Sequence, residues 1–161
     1  MLVPAHLYKQ QIIEELYKTW HNDKYKYYYD WNCGIPDFPD KPDGTMQFAS
    51  VDKDGNLLGY ISFYINWPLR RGNNFGIISF KNSYTFAKDV EQTIRNCFEK
   101  YNLNSIEWFC YTNNPVVKNY IRFINRHGGR LVGMLEQASM TQDGILRDCY
   151  IFEITKKRWK L

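Results

Sequence analysis

Metal-ligand spacing is missing from this 161-residue sequence. Cys33, Cys97, Cys110 and Cys149 form no Cys-x-x-Cys pair, and His6, His21 and His127 form neither a His-Glu-x-x-His nor a clustered pattern. The expectation is therefore that no zinc is bound. Long apolar runs are missing too; none approaches the roughly 20 residues a membrane helix needs. The opening Met1-Leu2-Val3-Pro4-Ala5-His6 lacks a basic stretch followed by an apolar one, so no secretory signal is read and a cytoplasmic location is expected. In a reducing compartment, Cys97 and Cys110, on faces expected to be buried, read as small core residues rather than catalytic thiols.

What is present is the composition of a globular chain, 44% hydrophobic and 24% charged. Its length is expected to give a single domain, residues 1–161, that buries about two-thirds of its unfolded surface. Charge is unevenly spread. Residues 1–60 hold six basic and nine acidic side chains, whereas residues 61–161 hold fifteen basic and eight acidic ones. The seven excess positive charges of the second part favour an anionic ligand there.

Leu7 to Trp20 reads as a helix, with Ile12, Ile13, Leu16 and Tyr17 on one face. Trp20 to Trp31 interleaves Tyr25, Tyr27, Tyr28 and Tyr29 with Asp23, Lys24, Lys26 and Asp30. Aromatics among bases can form a stacking platform for nucleic acid. Because acids interrupt the bases, the preferred reading is a second short helix whose rings pack on the core and line one wall of a substrate cleft. Cys33 to Thr45, with three prolines and the acids Asp37, Asp40 and Asp43, reads as a loop. Met46 to Val51 and Leu57 to Asn66, joined through Asp54-Gly55, give a hairpin signal. Trp67 to Asn73 reads as a turn and Phe75 to Phe80 as a third strand, with Gly76 marking a bulge or close backbone approach.

The most informative stretch runs from Asn82 to Gly129. A loop, Asn82 to Ala87, feeds a helical run from Lys88 to Tyr101 whose Val90, Ile94, Cys97, Phe98 and Tyr101 recur at steps of three and four. Leu103 to Tyr111 has the aromatic and apolar content of a buried strand. After Asn113-Asn114-Pro115, a second helix carries Val117, Tyr120, Ile121 and Ile124 inward and ends at Gly128-Gly129. Arg130 to Ser139 and Arg147 to Thr155 complete an antiparallel pair. Helix, strand, helix, strand is a crossover unit with parallel or mixed pairing.

These residues resemble the GNAT-family N-acetyltransferases. That family's loop pattern, Gln/Arg-x-x-Gly-x-Gly/Ala, lies over Asn82, Thr85 and Ala87. Its later Asn, with a Tyr seven positions on, lies over Asn113 and Tyr120. The sequence departs from the pattern at Asn82, at Thr85 and at Gly128-Gly129-Arg130. The resemblance implies an α/β fold: a central mixed, mostly antiparallel twisted sheet of about six to seven strands, flanked by helices on both faces. It implies acetyl transfer from acetyl-CoA to a primary amine of a small molecule, peptide or protein. The coenzyme pyrophosphate would rest on the backbone of Thr85, Phe86, Ala87 and Lys88 at a helix N-terminus. The pantetheine arm would pair with the strand edge at Ile78 to Phe80, and Asn113 and Tyr120 complete the implied coenzyme-binding set. Tyr120 is the implied general acid. Glu107, a lone carboxylate in an apolar strand, is the candidate base, since burial raises a carboxyl pKa; the alternative is that it faces solvent or pairs with a base. Neither nucleic acid nor membrane is expected as partner, and a homodimer is one oligomeric option. The second reading of the chain is a catalytically inactive acyl-CoA-binding or interaction module of the same fold, suggested by the altered loop.

Overall fold

The computed structural model describes residues 1–30, 38 and 44–160. Most of the proline-rich loop read over Cys33 to Thr45, including Asp37, Asp40 and Asp43, lies outside the described residues. Seven described strands form one sheet, in the order β1-β2-β3-β4-β5-β7-β6. They are β1 (Leu2–Pro4), β2 (Thr45–Val51), β3 (Leu57–Asn66), β4 (Arg71–Ser79), β5 (Ser105–Tyr111), β6 (Arg130–Met140) and β7 (Leu146–Thr155). Helices α1 (Lys9–Thr19), α2 (Tyr84–Glu99) and α3 (Val117–His127) cover it. All strand neighbours are antiparallel except β4 and β5, the pair bridged by α2. This is the mixed, mostly antiparallel sheet expected from the sequence.

Both faces are covered because β3 alternates. Ile61 packs towards α2, and Phe63 and Ile65 join Ile94, Cys97, Phe98, Val117 and Ile124 of α2 and α3. Tyr60 turns to the other face and meets Ile12 and Leu16 of α1, together with Ile78 of β4. Cys97 and Cys110 lie in the first of these cores as free thiols, as the sequence suggests. Burial pushes each up to about 12.

Several boundaries differ from the sequence reading. A three-residue strand, β1, precedes α1, whose first turn is a 3-10 segment, Ala5–Tyr8. In place of a second short helix there is a 3-10 turn, Asp23–Tyr25, although Tyr29 is buried and Tyr25 and Tyr28 pack on the α1-side core. Strand β4 begins at Arg71, four residues before Phe75, because its early residues pair with Tyr64, Ile65 and Asn66. Cross-strand pairing outweighs the turn-like composition of Arg71-Gly72-Asn73. The bulge sits at Asn74, where the β3 register shifts between Ser62 and Tyr64 and φ is +53°; Gly76 marks the other expected option, a close approach, since a Cβ there would lie 3.0 Å from Ser62 Oγ.

The change with most consequence is at α2. The helix starts at Tyr84, four residues before Lys88, with Ser83 as its cap: the Ser83 Oγ accepts from the Phe86 N–H at 3.5 Å. The Phe86 ring anchors this end by packing with Leu58 and Ile61 of β3. That contact requires Gly59 opposite the ring. A Cβ there would lie 2.3 Å from the Phe86 ring and 2.6 Å from the Ile78 carbonyl oxygen. At the other end of the unit, Asn114 Oδ1 accepts from the Val116 N–H at 3.0 Å and Gly128 closes α3 with φ +78°.

Gly59→Ala is expected to destabilise the protein by about 1–3 kcal/mol, since the paired strand and the Phe86 ring must both shift; the midpoint of urea unfolding measures it. Cys97 and Cys110 are expected to alkylate more than roughly a hundredfold slower in the native protein than in urea at mildly alkaline pH, as followed by mass spectrometry of the labelled peptides.

Candidate active site

Strands β4 and β5 pair at only two positions, Arg71 with Ser105 and Gly72 with Ile106. Beyond them the strands separate. On its far side β4 stays paired with β3 up to Ser79, and β5 stays paired with β7 up to Tyr111. The facing edges, from Asn73 on β4 and from Glu107 on β5, therefore present main-chain groups without a strand partner. The Asn74 bulge explains the divergence, since an extra residue bends a strand and increases its twist. Ile78, expected to border a coenzyme arm, lies on this part of β4; Phe80 follows just beyond it. Both side chains are buried on the α1 side.

The open end of the gap leads to the N-terminus of α2. The earlier helix start places Thr85, Phe86 and Ala87 within the first turn. The Ala87 N–H is taken by the Ser83 carbonyl at 3.3 Å and that of Phe86 by the Ser83 hydroxyl. Tyr84 and Thr85 are left with amides that no group in the described residues accepts. The donor set at the helix end is thus shifted one residue towards the N-terminus from the expected Thr85 to Lys88. Thr85 is not among the residues with positive φ, so the absence of glycine at this position introduces no strain. No acidic side chain occupies the first turn, which leaves the positive end of the helix dipole uncompensated.

Beside that end is a surface groove of about 370 Å³ between α2 and α3, lined by Tyr84, Ala87, Lys88, Glu91, Gln92, Arg95 and Arg126. Three of these are cations and one is an acid. The Lys88 ammonium lies 4.8 Å from the centre of the Tyr84 ring. Arg95 Nε is buried and has no hydrogen-bond partner among the described residues. The sequence reading named Lys88 and missed Arg95 and Arg126. Arg95 was within reach, seven positions after Lys88 on one helix face; Arg126 comes from another helix, and only the tertiary structure brings it there.

Tyr120 and Glu107 lie on opposite sides of the sheet. Tyr120, on the second turn of α3, packs edge-on against Trp108 at 5.7 Å and Phe152 at 5.8 Å. Burial, with the neighbouring Cys110 thiol as a smaller contribution, pushes its hydroxyl well above the usual tyrosine range. The group holds its proton throughout neutral pH. Glu107 alternates with Trp108 to the other face. There it forms an ion pair with Arg71, the alternative that the sequence left open. Its side chain keeps 22% exposure, so the buried lone carboxylate expected from the sequence is replaced by a neutralised one. Asn113 is exposed in the turn after β5, and it is Asn114 whose Oδ1 accepts from the Val116 N–H just before the next helix.

The Glu107 face also carries Phe109, 48% exposed, and Tyr111. The Tyr27 ring lies 6.0 Å from that of Tyr111 and beneath the Arg147 guanidinium. The Tyr111 hydroxyl donates to Ser139 Oγ at 3.1 Å. Tyr28 approaches the same strand group, because a Cβ on Gly76 would stand 3.5 Å from its hydroxyl. The aromatic segment therefore walls the face of the gap opposite Tyr120. Among the described residues no group of His, Cys, Asp and Glu side chains is arranged to hold a metal ion.

Neither a family profile nor a curated protein matches the sequence. Solved structures do match the fold. A spermidine N-acetyltransferase from Vibrio cholerae, in complex with CoA and spermine, superposes with a TM-score of 0.78 over 98% of this chain and 96% of that one, at 15% identity. A spermidine/spermine N-acetyltransferase from the same organism, in complex with manganese ions, gives 0.60 over 71% of this chain and 67% of that one, at 19% identity. At these identities the likeness concerns architecture, and it establishes that this chain has the fold of the GNAT-family N-acetyltransferases.

Proposed function

We propose that this chain, acting as one domain in the cytoplasm, transfers an acetyl group from acetyl-CoA to a primary amine. The observation that carries the reading is the gap between β4 and β5, beside the free amides of α2, with Tyr120 on one face of β5 and the aromatic wall on the other. The residues suit the coenzyme: the uncompensated helix end and the groove cations Lys88, Arg95 and Arg126 all favour an anion. Acetyl-CoA, when bound, supplies the activated acetyl thioester.

The Tyr84 and Thr85 amides would hold the pyrophosphate, and Lys88, Arg95 and Arg126 would attract the phosphates. The open edge of β4 would take the amide-bearing arm. At the bulge, the main chain around Asn74 leaves the β3 ladder and offers donors to a carbonyl oxygen. Tyr120, which keeps its proton in its apolar setting, would be the residue to protonate a leaving thiolate. The amine enters from the Tyr27, Tyr111 and Phe109 face. Glu107, tied to Arg71, orients the acceptor there rather than removing its proton, which passes to water. A spermidine-acetylating enzyme of the same architecture makes polyamines the first acceptors to screen, followed by peptide amines. Neither nucleic acid nor membrane takes part. The module reading loses its main support, because Thr85 sits in ordinary helical geometry.

Calorimetric titration is expected to show binding of acetyl-CoA and free CoA, with ATP much weaker, and Arg95→Gln is expected to weaken CoA binding roughly tenfold or more, the worth of one charge-assisted hydrogen bond. Absence of heat with either CoA form would overturn the reading. Tyr120→Phe is expected to lower kcat by roughly a hundredfold or more while the CoA affinity changes less than about twofold; unchanged steady-state turnover would remove Tyr120 from the chemistry.

A further inference from the structure

The core on the α1 side of the sheet draws on β2, β3 and β4 but not on β5, β7 or β6. On that side the last three strands form a floor whose residues follow from register, because directly paired residues share a face. Glu107 lies beside Glu153, which pairs onward with Arg130; Phe109 lies beside Ile151 and then Gly133; Tyr111 lies beside Cys149 and then Leu135. Phe109 and Leu135 are half-exposed and Ile151 is half-buried. A Cβ built on Gly133 meets nothing within 4 Å, so there is open space above the floor. Its middle is apolar, and one border is the β5 edge of the gap.

Most carboxylates around this floor are already paired. Glu107 meets Arg71, Glu153 accepts from Arg130 Nε at 2.8 Å, and Asp143 meets Arg147 at 2.6 Å. Asp148, next to Cys149, alternates to the opposite face and accepts from the Gln137 N–H at 2.9 Å. Glu136 falls in the irregular stretch between Leu135 and Ser139, outside the paired rows. Asp30 differs. Its backbone bridges to Thr141, whose hydroxyl accepts from Arg147 Nε at 2.7 Å, and the Arg147 guanidinium lies over Tyr27. This sets Asp30 at the Tyr27 and Tyr111 end of the floor. It is exposed, and it meets no cation among the described residues. Burial raises the Tyr111 hydroxyl above the usual tyrosine range, and the Asp30 carboxylate adds a smaller push in the same direction, as a negative charge near the ring does.

One ammonium is matched here by one unpaired carboxylate beside an aromatic ring. A second ammonium further along the acceptor would meet Arg71, Arg130 or Arg147, each a like charge. An apolar body would instead meet Phe109, Ile151 and Leu135. We propose, on the reading that the chain acetylates amines, that the acceptor carries a single positive charge on an aromatic or branched apolar body, and that Asp30 is the specificity residue holding its ammonium. Polyamines are the contrasting class.

With the full chain and saturating acetyl-CoA, thiol release is expected to give 2-phenylethylamine a kcat/KM at least roughly ten times that of spermidine. Asp30→Asn is expected to raise the KM for 2-phenylethylamine roughly tenfold while kcat changes less than about twofold, and Asp54→Asn, at an exposed turn, is expected to change neither. A preference for spermidine, or an Asp30→Asn variant with the parent KM, would overturn the proposal and leave acetyl transfer standing. Amine binding is also read without turnover, by amide chemical shifts during titration with 2-phenylethylamine, with and without free CoA. Should no amine be acetylated, acetyl transfer falls by itself and the titration decides: shifts around Asp30 and Tyr111 that Asp30→Asn abolishes uphold the amine site, and their absence in the parent, or their persistence in the variant, overturns it.

Discussion

The parallel pairing of β4 with β5 ends after two residues, and the candidate site depends on that ending. Had the ladder continued, each strand would have satisfied the other's main chain, leaving no open edge beside α2. The bulge at Asn74 prevents it. The extra residue changes the direction of β4 while β3 follows on its other side, so the sheet remains continuous at its base and open at its end. The Arg71–Glu107 ion pair lies next to the last paired residues, where it links the two strands just before they part. A half-exposed pair of this kind adds little stability on its own; its contribution here is positional.

The same geometry assigns different chemistry to the two faces. On the α2 and α3 side the surroundings of Tyr120 are aromatic and buried, which keeps its proton in place. On the other side, Tyr27, Phe109 and Tyr111 form a surface that is apolar in body and polar at its hydroxyl ends, with Arg71, Glu107 and Arg147 nearby. The proposed reaction would use an acid on one side of a thioester and admit an amine from the other. Helix α2 adds free amides at its first turn and a row of cations along the groove. Gly59 is the small residue that lets Phe86 hold the helix end against the sheet.

A good part of this was legible in the sequence. The periodic apolar residues of α2 and α3, the Asp-Gly hairpin, the Gly128 stop and the core placement of Cys97 and Cys110 all follow from local rules: helical spacing, turn conformation and the hydrophobicity of a thiol. Boundaries were less legible where local and tertiary preferences conflict. Arg71-Gly72-Asn73 reads as a turn yet pairs as strand because β3 supplies the partner. Ser83 begins α2 earlier than the apolar pattern suggests, since capping and the packing of Phe86 extend the helix beyond its amphipathic run.

The sequence by itself determined the order of elements from β2 onward, most of the buried faces of α2 and α3, although Ile121 is exposed, the basic character of the second part and the likeness to an acetyltransferase family around Asn113 and Tyr120. These are properties of neighbouring residues, which propensity and periodicity encode. Only the tertiary structure decided that Glu107 meets Arg71, that Arg126 joins Lys88 and Arg95, that Tyr120 and Glu107 face opposite sides, and that β6 is the last strand of the sheet among the described residues. Each of these depends on contacts between residues distant along the chain. Such contacts are set by strand order and register, and a single bulge is enough to redirect them.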